Sequence, residues 1–189
     1  MSSSKKSRSS EEYDSSLEYF RDIRAYDDLM RLVEEGNVEY LQKQIDECKI
    51  TKNDIKKYNN RAIIKAACKG YFHVISWINE QCTLFDNDIR CSNNYVIYSC
   101  CQRGTIEDLK WLFETFNFKN IPKDDIVDSL VVLSNRGDLS MIKYFIEYFE
   151  SLFSIGLDKW DKMNILNEIE NPEIAKFLDS ILSSSNELI

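Results

Sequence analysis

Glycine and proline are scarce in this 189-residue chain, which contains five glycines and two prolines. A fold with many short strands needs turn residues at every connection, so the scarcity argues against an all-β fold and favours helices joined by polar loops. No apolar run approaches the roughly 18 residues that cross a bilayer, and the first residues lack the apolar segment of a secretory signal. The sequence therefore predicts an intracellular, cytoplasmic protein.

Groups suited to catalysis or metal binding are scarce as well. Histidine occurs once, at His73, and the six cysteines form no C-x-x-C pair. A zinc site would need ligands from separate elements, and isolated glycines cannot form a phosphate-binding loop. The carboxylates are numerous, but no acid and base can be paired from their spacing. We therefore predict a protein that is not an enzyme and that holds no metal and no cofactor.

The charge is predominantly acidic, with a net charge of -8. The first ten residues carry Lys5, Lys6 and Arg8, which leaves 21 basic against 32 acidic residues, or -11, over residues 11–189. A body of that charge repels phosphate backbones, which argues against nucleic acid as a partner.

Four of the five glycines recur at one period. Gly36, Gly70, Gly104 and Gly137 are separated by 34, 34 and 33 residues. Positions below are counted from this glycine, so that position −4 lies four residues before it. Glu170 takes its place in a fifth, weaker copy, 33 residues after Gly137. A fixed period of this length indicates a repeat architecture.

Apolar residues keep the same register around each glycine and predict two helices per copy. Before the glycine they occupy positions −7 (Leu29, Ile63, Ile97, Leu130) and −4 (Leu32, Ala66, Cys100, Leu133). After it they occupy +2 (Val38, Phe72, Ile106, Leu139), +5 (Leu41, Ile75, Leu109, Ile142) and +8 (Ile78, Leu112, Phe145, with Gln44 the polar exception). In the fifth copy we expect Met163 at position −7 and Leu166 at position −4.

The glycine is expected to end the first helix in a left-handed conformation, in which a Cβ atom would be strained. The next residue is Asn37, Thr105 or Asp138, each able to accept a hydrogen bond from the first turn of the second helix. Tyr71 does not fit this rule. Two short helices joined by a tight turn cannot bury both apolar faces alone, so neighbouring copies must stack.

Position +7 carries an aromatic residue in four successive copies. The residues there are Lys43, Trp77, Trp111, Tyr144 and Phe177. A packing ladder between copies is the first interpretation, and a platform that stacks ligand rings is the second.

The repeat resembles the ankyrin repeat, a helix-turn-helix unit of about 33 residues that stacks into a curved solenoid. The match spans residues 26–182 and is clearest in AIIKAACKGYFHVISWI. The family's T-P-L-H opening is absent, and segments such as QCTLFDNDIRCSN replace its β-hairpins, so irregular loops or an extra helical turn are expected there. In style the chain is similar to ankyrin-type proteins of giant DNA viruses of amoebae and of social amoebae. The resemblance implies an all-α, ankyrin-like solenoid of about four to five units.

The predicted boundaries follow from the period. Residues 1–16 form a disordered, serine-rich tail, in which KKSR is a solubilising patch or, alternatively, a weak nuclear-import or phosphorylation-linked signal. A helix over Leu17–Leu32 covers the end of the stack. The repeat domain spans 17–182, with units near 26–59, 60–93, 94–126, 127–159 and 160–182, and residues 183–189 form a second tail.

A basic row is the candidate binding surface. Positions −5, −2 and −1 lie on the inner, concave face in an ankyrin-like stack, and −1 is Lys69, Arg103 and Arg136 in three consecutive copies. The row is either a set of cations that favour helix C-termini or a groove for an acidic or phosphorylated segment. The predicted partner-binding residues are Lys65, Lys69, Gln102, Arg103, Asn135 and Arg136.

The sequence therefore predicts a protein-protein interaction module, an adaptor or scaffold. A helical-repeat nucleic-acid binder and a self-associating structural component are the alternatives.

Overall fold

The structure is a computed structural model that describes residues 7–150 and 159–184. Within these ranges the chain forms eleven helices and no strand, so the all-α prediction is confirmed. The helices are α1 (Ser7–Glu35), α2 (Val38–Asp46), α3 (Lys52–Lys69), α4 (Phe72–Cys82), α5 (Asp86–Ile89), α6 (Cys91–Arg103), α7 (Ile106–Thr115), α8 (Lys123–Arg136), α9 (Leu139–Tyr148), α10 (Lys159–Glu168) and α11 (Pro172–Ser184).

The helix boundaries follow the glycine period. At each of the four glycines one helix ends at the preceding residue, and the next begins two residues after the glycine. The fifth turn keeps nearly the same register, because α10 ends at Glu168 and α11 begins at Pro172. Proline at the first position of a helix already has a helical φ and needs no N–H donor there, which favours this start.

Three of the turn glycines have the predicted backbone conformation and one does not. Gly36, Gly70 and Gly137 have φ of 67°, 76° and 84°, in the left-handed region. The prediction is wrong for Gly104, which is extended at φ −75° and ψ 175°. A Cβ atom there would lie 2.7 Å from the Sγ atom and 2.9 Å from the backbone oxygen of Cys100. Glycine is therefore needed at this turn for space rather than for its φ.

The second helix of three pairs has the predicted side-chain cap. Asn37, Thr105 and Asp138 each accept a hydrogen bond from the backbone N–H three residues later, at 2.9, 3.2 and 3.1 Å. Tyr71 makes no such bond, as the sequence indicated. A cap of this kind typically stabilises a helix by about 1 kcal/mol.

The first helices of the five pairs pack side by side in chain order. Helix α1 contacts α3, α3 contacts α6, α6 contacts α8, and α8 contacts α10. We call these five helices the first layer. Every predicted residue at positions −7, −4 and +5 of the first four copies is buried, so these core predictions are confirmed. Position +2 is less regular, since Leu139 is 40% exposed.

The fifth pair departs from the predicted core. Met163 is 48% exposed, whereas Ile165 and Ile169 are buried. Residues two apart point to different sides of a helix, so turning Ile165 towards the core turns Met163 outwards. The expectation that Met163 fills the core is therefore wrong.

The ends and loops differ from a regular ankyrin pattern. Helix α1 contains the predicted Leu17–Leu32 segment but begins at Ser7, so residues 7–16 are helical where the sequence predicts a disordered tail. Extending an existing helix costs far less than starting one, which allows a serine-rich segment to continue it. Residues 1–6 and 185–189 of the two predicted tails lie outside the described residues. Helix α5 is the extra helical turn expected in the QCTLFDNDIRCSN segment.

Candidate functional site

Grooves separate neighbouring helices of the first layer. One between α1 and α3 has a volume of about 610 Å³, one between α6 and α8 about 390 Å³, and one between α8 and α10 about 160 Å³. Each groove is lined only by side chains of the two helices that form it. Each lining includes positions −9 and −6, so the grooves lie on one surface, which we call the first-layer face.

Two positions that the sequence interpretation omitted contribute most consistently to these grooves. The lining includes position −9 (Asp27, Arg61, Tyr95, Asp128, Asp161) and position −6 (Met30, Ile64, Tyr98, Val131, Asn164). Position −6 is apolar or aromatic in four consecutive helices. Positions −9, −6 and −2 follow helical spacing and share one face, so the signal was present in the sequence. The prediction used −2 but did not extend the face towards the helix N-terminus.

Lys65 lines the α3 side of the first groove, and Lys69 lies one helical turn beyond it. Lys65 forms an ion pair with Glu34 of α1 across the groove. Its hydrogen bond to Glu34 raises the pKa of Lys65 and lowers that of Glu34. Lys69 is exposed at the C-terminal end of α3. Lys65 thus lies on the first-layer face, and the charge of Lys69 adds to the lowering of the pKa of Glu34 on the α1 side.

Gln102 and Arg103 end α6, and both are exposed. The guanidinium of Arg103 donates a hydrogen bond to the side-chain oxygen of Gln102. The stem of Arg103 lies over the preceding turn, because a Cβ atom at Gly70 would be 3.1 Å from that of Arg103. The predicted pair therefore joins two neighbouring helix pairs while its polar ends face solvent.

Asn135 and Arg136 connect turns of adjacent copies. Arg136 Nη1 donates a hydrogen bond to the backbone oxygen of Gly104. The amide of Asn135 donates to the backbone oxygen of Glu168 at 3.0 Å and accepts from the backbone N–H of Glu170 at 2.8 Å. These groups satisfy backbone atoms left free at helix ends, so their first role is structural.

The row at position −5 is not continuous. Ser99 is fully buried, whereas Arg31 is exposed and Lys65 and Val132 are half-buried. The expectation that position −5 of every copy faces a concave surface is therefore wrong at α6. A small side chain at this place lets the neighbouring helices approach.

The groove between α8 and α10 is acidic. Its lining includes Asp124, Asp128, Asp161 and Glu168, and Asp161 is paired with Lys123 at 2.7 Å. Partial loss of hydration, and then the neighbouring carboxylates Asp125, Glu168 and Asp124, raise the pKa of Asp128, although its side chain is exposed. This end of the first-layer face thus favours cations and disfavours anions.

The groove between α6 and α8 combines aromatic rings with carboxylates. Tyr95 and Tyr98 stack with ring centroids 6.1 Å apart, opposite Asp125 and Asp128. Asn94, buried at the start of α6, donates a hydrogen bond of 2.6 Å to Asp125. Asn94 has a φ of 56°, which asparagine tolerates better than most residues.

The aromatic residues at +7 pack against the core rather than forming an open platform. Trp77 is 6% exposed, and Trp111, Tyr144 and Phe177 are partly buried against the core. Several also contact position +6 of the preceding copy. Trp77 donates a hydrogen bond of 3.2 Å to Gln42, and the ammonium groups of Lys110 and Lys143 lie 5.9 and 5.7 Å from the rings of Tyr144 and Phe177. These contacts support the packing interpretation.

The only histidine contacts a turn, since His73 Nε2 lies 3.0 Å from the backbone oxygen of Gly36. Among the residues that the structure describes, no group of three His, Cys, Asp or Glu side chains is placed to bind a metal ion. Over the same part of the chain, no helix has the length and apolar character needed to span a bilayer.

Comparison of the chain with protein-family models, curated proteins and solved structures found no match. The class that the structure defines is accordingly an all-helical protein whose helices form pairs about a recurring turn.

Proposed function

We propose that this protein is an ankyrin-like repeat solenoid that acts as a non-enzymatic interaction module, and that its first-layer face binds a segment of a partner protein. The observation that carries the proposal is the row at position −6. Met30, Ile64 and Tyr98 are partly exposed, and Val131 is only 8% exposed at the far end of the row. A row of apolar side chains that crosses successive helices, bordered by charges, has the anatomy of a protein-binding surface.

The helix-pair geometry supports this use of the face. Each second helix packs on the first helix of its own pair, and the grooves contain side chains from the first layer alone. Stacked repeats of this kind present much surface for few residues, and interaction is their usual role.

The basic row contributes orientation rather than the whole binding energy. Lys69 and the polar end of Arg103 face solvent and can pair with carboxylates or phosphates of an acidic or phosphorylated segment. Arg136 and Asn135 are occupied by backbone groups of neighbouring turns. Reversing their charge or removing their amide would alter the fold as well as the surface, so they are poor test positions.

The test is capture of partners from the native cell with the full chain, followed by measurement of the purified partner's affinity. Ile64→Lys and Tyr98→Glu place charges in the apolar row at partly exposed sites, and we expect each to weaken binding at least about tenfold, or 1.4 kcal/mol. Glu80→Lys, on the exposed side of α4, is the control and should leave the affinity unchanged. Unchanged affinity in both row variants, with unchanged melting temperatures, would remove the first-layer face as the binding surface.

A further inference from the structure

The groove between α1 and α3 has an apolar floor and one cationic rim. The floor consists of Met30 and Ile64, both half-buried, with Tyr26 and Cys68 beside them. Its volume of about 610 Å³ accommodates one or two large side chains. Methionine adapts its shape to different apolar partners, which suits such a floor to contact with another chain.

Arg61 and Lys65 line the groove on its α3 side, and Lys69 follows one turn further along the helix. The spacing of four residues places all three cations on one side of α3, which we call the α3 rim. The guanidinium of Arg61 is held over the Tyr26 ring at 5.6 Å and donates to its hydroxyl at 3.3 Å. The phenol is neutral, so this contact positions Arg61 without cancelling its charge. The rim keeps a net positive charge even though Lys65 is paired with Glu34.

The α1 side of the groove, which we call the α1 rim, is rich in carboxylates. Its one arginine, Arg31, is already paired with Glu35 at 3.0 Å and with Asp28 at 3.5 Å. Asp27 and Glu34 add two further carboxylates on the same helix. An anionic residue in the groove is therefore attracted towards α3 and repelled from α1, which gives a bound segment a preferred side.

We propose that this groove anchors a short partner segment in which a large apolar side chain is flanked by aspartate or glutamate. The apolar side chain packs on Met30 and Ile64, and the carboxylates pair with Arg61 and Lys69 along α3. The inference rests on the proposed function and specifies which groove of the first-layer face holds the anchoring side chain. Acidic residues are excluded from the other end of the face because the groove between α8 and α10 is itself acidic.

The experiment is panning of a phage-displayed library of random dodecapeptides against the full chain. Enriched peptides are synthesised with a fluorophore, and their affinity is measured by fluorescence polarisation for wild type, Ile64→Asn and Lys69→Glu. The matched control is Lys56→Glu, which makes the same charge change on the same helix at an exposed position on a different side from Arg61, Lys65 and Lys69. Thermal melting checks that all four chains are folded.

We expect enriched peptides with a large apolar residue and at least two acids within about four positions of it, because that is the reach of the α3 rim. Ile64→Asn and Lys69→Glu should each weaken binding at least about tenfold, and Lys56→Glu less than about twofold.

Two results would overturn the inference. Peptides that bind all four chains equally would place their site elsewhere and leave the proposed function standing. Enrichment of basic peptides, or of none, would contradict the stated partner chemistry. The proposed function fails separately, when changes in the whole apolar row leave a captured partner's affinity unchanged.

Discussion

The two ends of the first-layer face share a core and differ in charge. Position −7 is fully buried in both α3 and α8, at Ile63 and Leu130. On the exposed side of the same helices, position −9 is Arg61 in α3 and Asp128 in α8. The buried positions are constrained by packing between copies, whereas the exposed ones are free to differ. The charge difference is therefore where a partner can distinguish one end from the other.

The contacts that join neighbouring copies also differ between the two ends, since one is an ion pair and the other is uncharged. At the N-terminal end an exposed ion pair, Lys65 with Glu34, bridges α1 and α3. At the C-terminal end Asn135 bridges two turns through uncharged hydrogen bonds to backbone atoms. Exposed ion pairs contribute little to stability, whereas unmet backbone groups are costly, so the second bridge should matter more.

The largest expected effects test the shared core. Ile63→Ala and Leu130→Ala should each lower the free energy of unfolding by about 2 to 5 kcal/mol, since both create a cavity at a fully buried site. Urea denaturation followed by circular dichroism measures the loss. A small effect at one end alone would mean that the two ends do not have equivalent cores.

The next comparison separates two reasons for glycine at a turn. Gly104→Ala should destabilise by about 1 to 3 kcal/mol, because the new Cβ atom meets Cys100 and the turn backbone at under 3 Å. Gly137→Ala has open space, with Asn171 Nδ2 at 3.7 Å, and costs only the strain of a positive φ, about 1 to 2 kcal/mol.

Asparagine then distinguishes the two sites, because it tolerates a left-handed backbone but is larger than alanine. Gly137→Asn should be more stable than Gly137→Ala, and Gly104→Asn should be less stable than Gly104→Ala. Thermal melting of the four variants is sufficient, and the opposite order at either site would refute the assignment for that turn.

A smaller effect is expected at the bridge between α8 and the fifth pair. Asn135→Ala removes two hydrogen bonds and should cost about 1 kcal/mol. Hydrogen exchange of α11 amides should accelerate more than that of α4 amides. Lys65→Met, the counterpart at the N-terminal end, should cost less than Asn135→Ala, because solvent screens the ion pair that it removes. Equal and uniform acceleration in both variants would argue against a local role for Asn135.

The smallest effect tests the acidic end. The pKa of Asp128 is raised in the folded chain, so the folded state binds that proton more tightly than the unfolded state does. Ionisation of Asp128 therefore lowers stability as the pH rises above the ordinary carboxyl pKa of 3.8. Asp128 is exposed and solvent screens its repulsion, so Asp128→Asn should raise stability at pH 7 by at most about 0.5 kcal/mol, and the gain should vanish well below pH 3.8. A gain that is independent of pH would point to a cause other than charge.

The sequence predicts the helix pairs well because the same local physics acts in each copy. The glycine period, the caps at Asn37, Thr105 and Asp138, and the buried −7 and −4 positions all follow from short-range rules. The extended conformation of Gly104 could not be predicted. Glycine is needed there because Cys100 leaves no space for a Cβ atom, and not because of a positive φ. The burial of Met163 was predicted wrongly because Ile165 and Ile169 occupy the buried positions instead.

The residues of the candidate binding face were harder to predict from the sequence than the helix pairs. The basic residues at −1 and −2 were visible, but the use of Asn135 and Arg136 by neighbouring turns depends on contacts about 33 residues away in the chain. The pairing of Lys65 with Glu34 is likewise a contact between helices. The apolar row at position −6 could have been predicted from the sequence, since it follows the helical spacing of the predicted face.

The most direct test of the account is a set of distances along the second helices, because the linear stacking of helix pairs supports every functional step. Asp46, Glu80, Glu114 and Glu147 are exposed and all occupy position +10. Spin labels introduced there through an unnatural amino acid leave the native cysteines untouched, and pulsed electron resonance measures each pair. Linear stacking of the helix pairs predicts that the distance from position 46 grows by roughly 10 Å per copy, to about 20 Å at 114 and about 30 Å at 147. A distance from 46 to 147 equal to or shorter than that from 46 to 114 would contradict it.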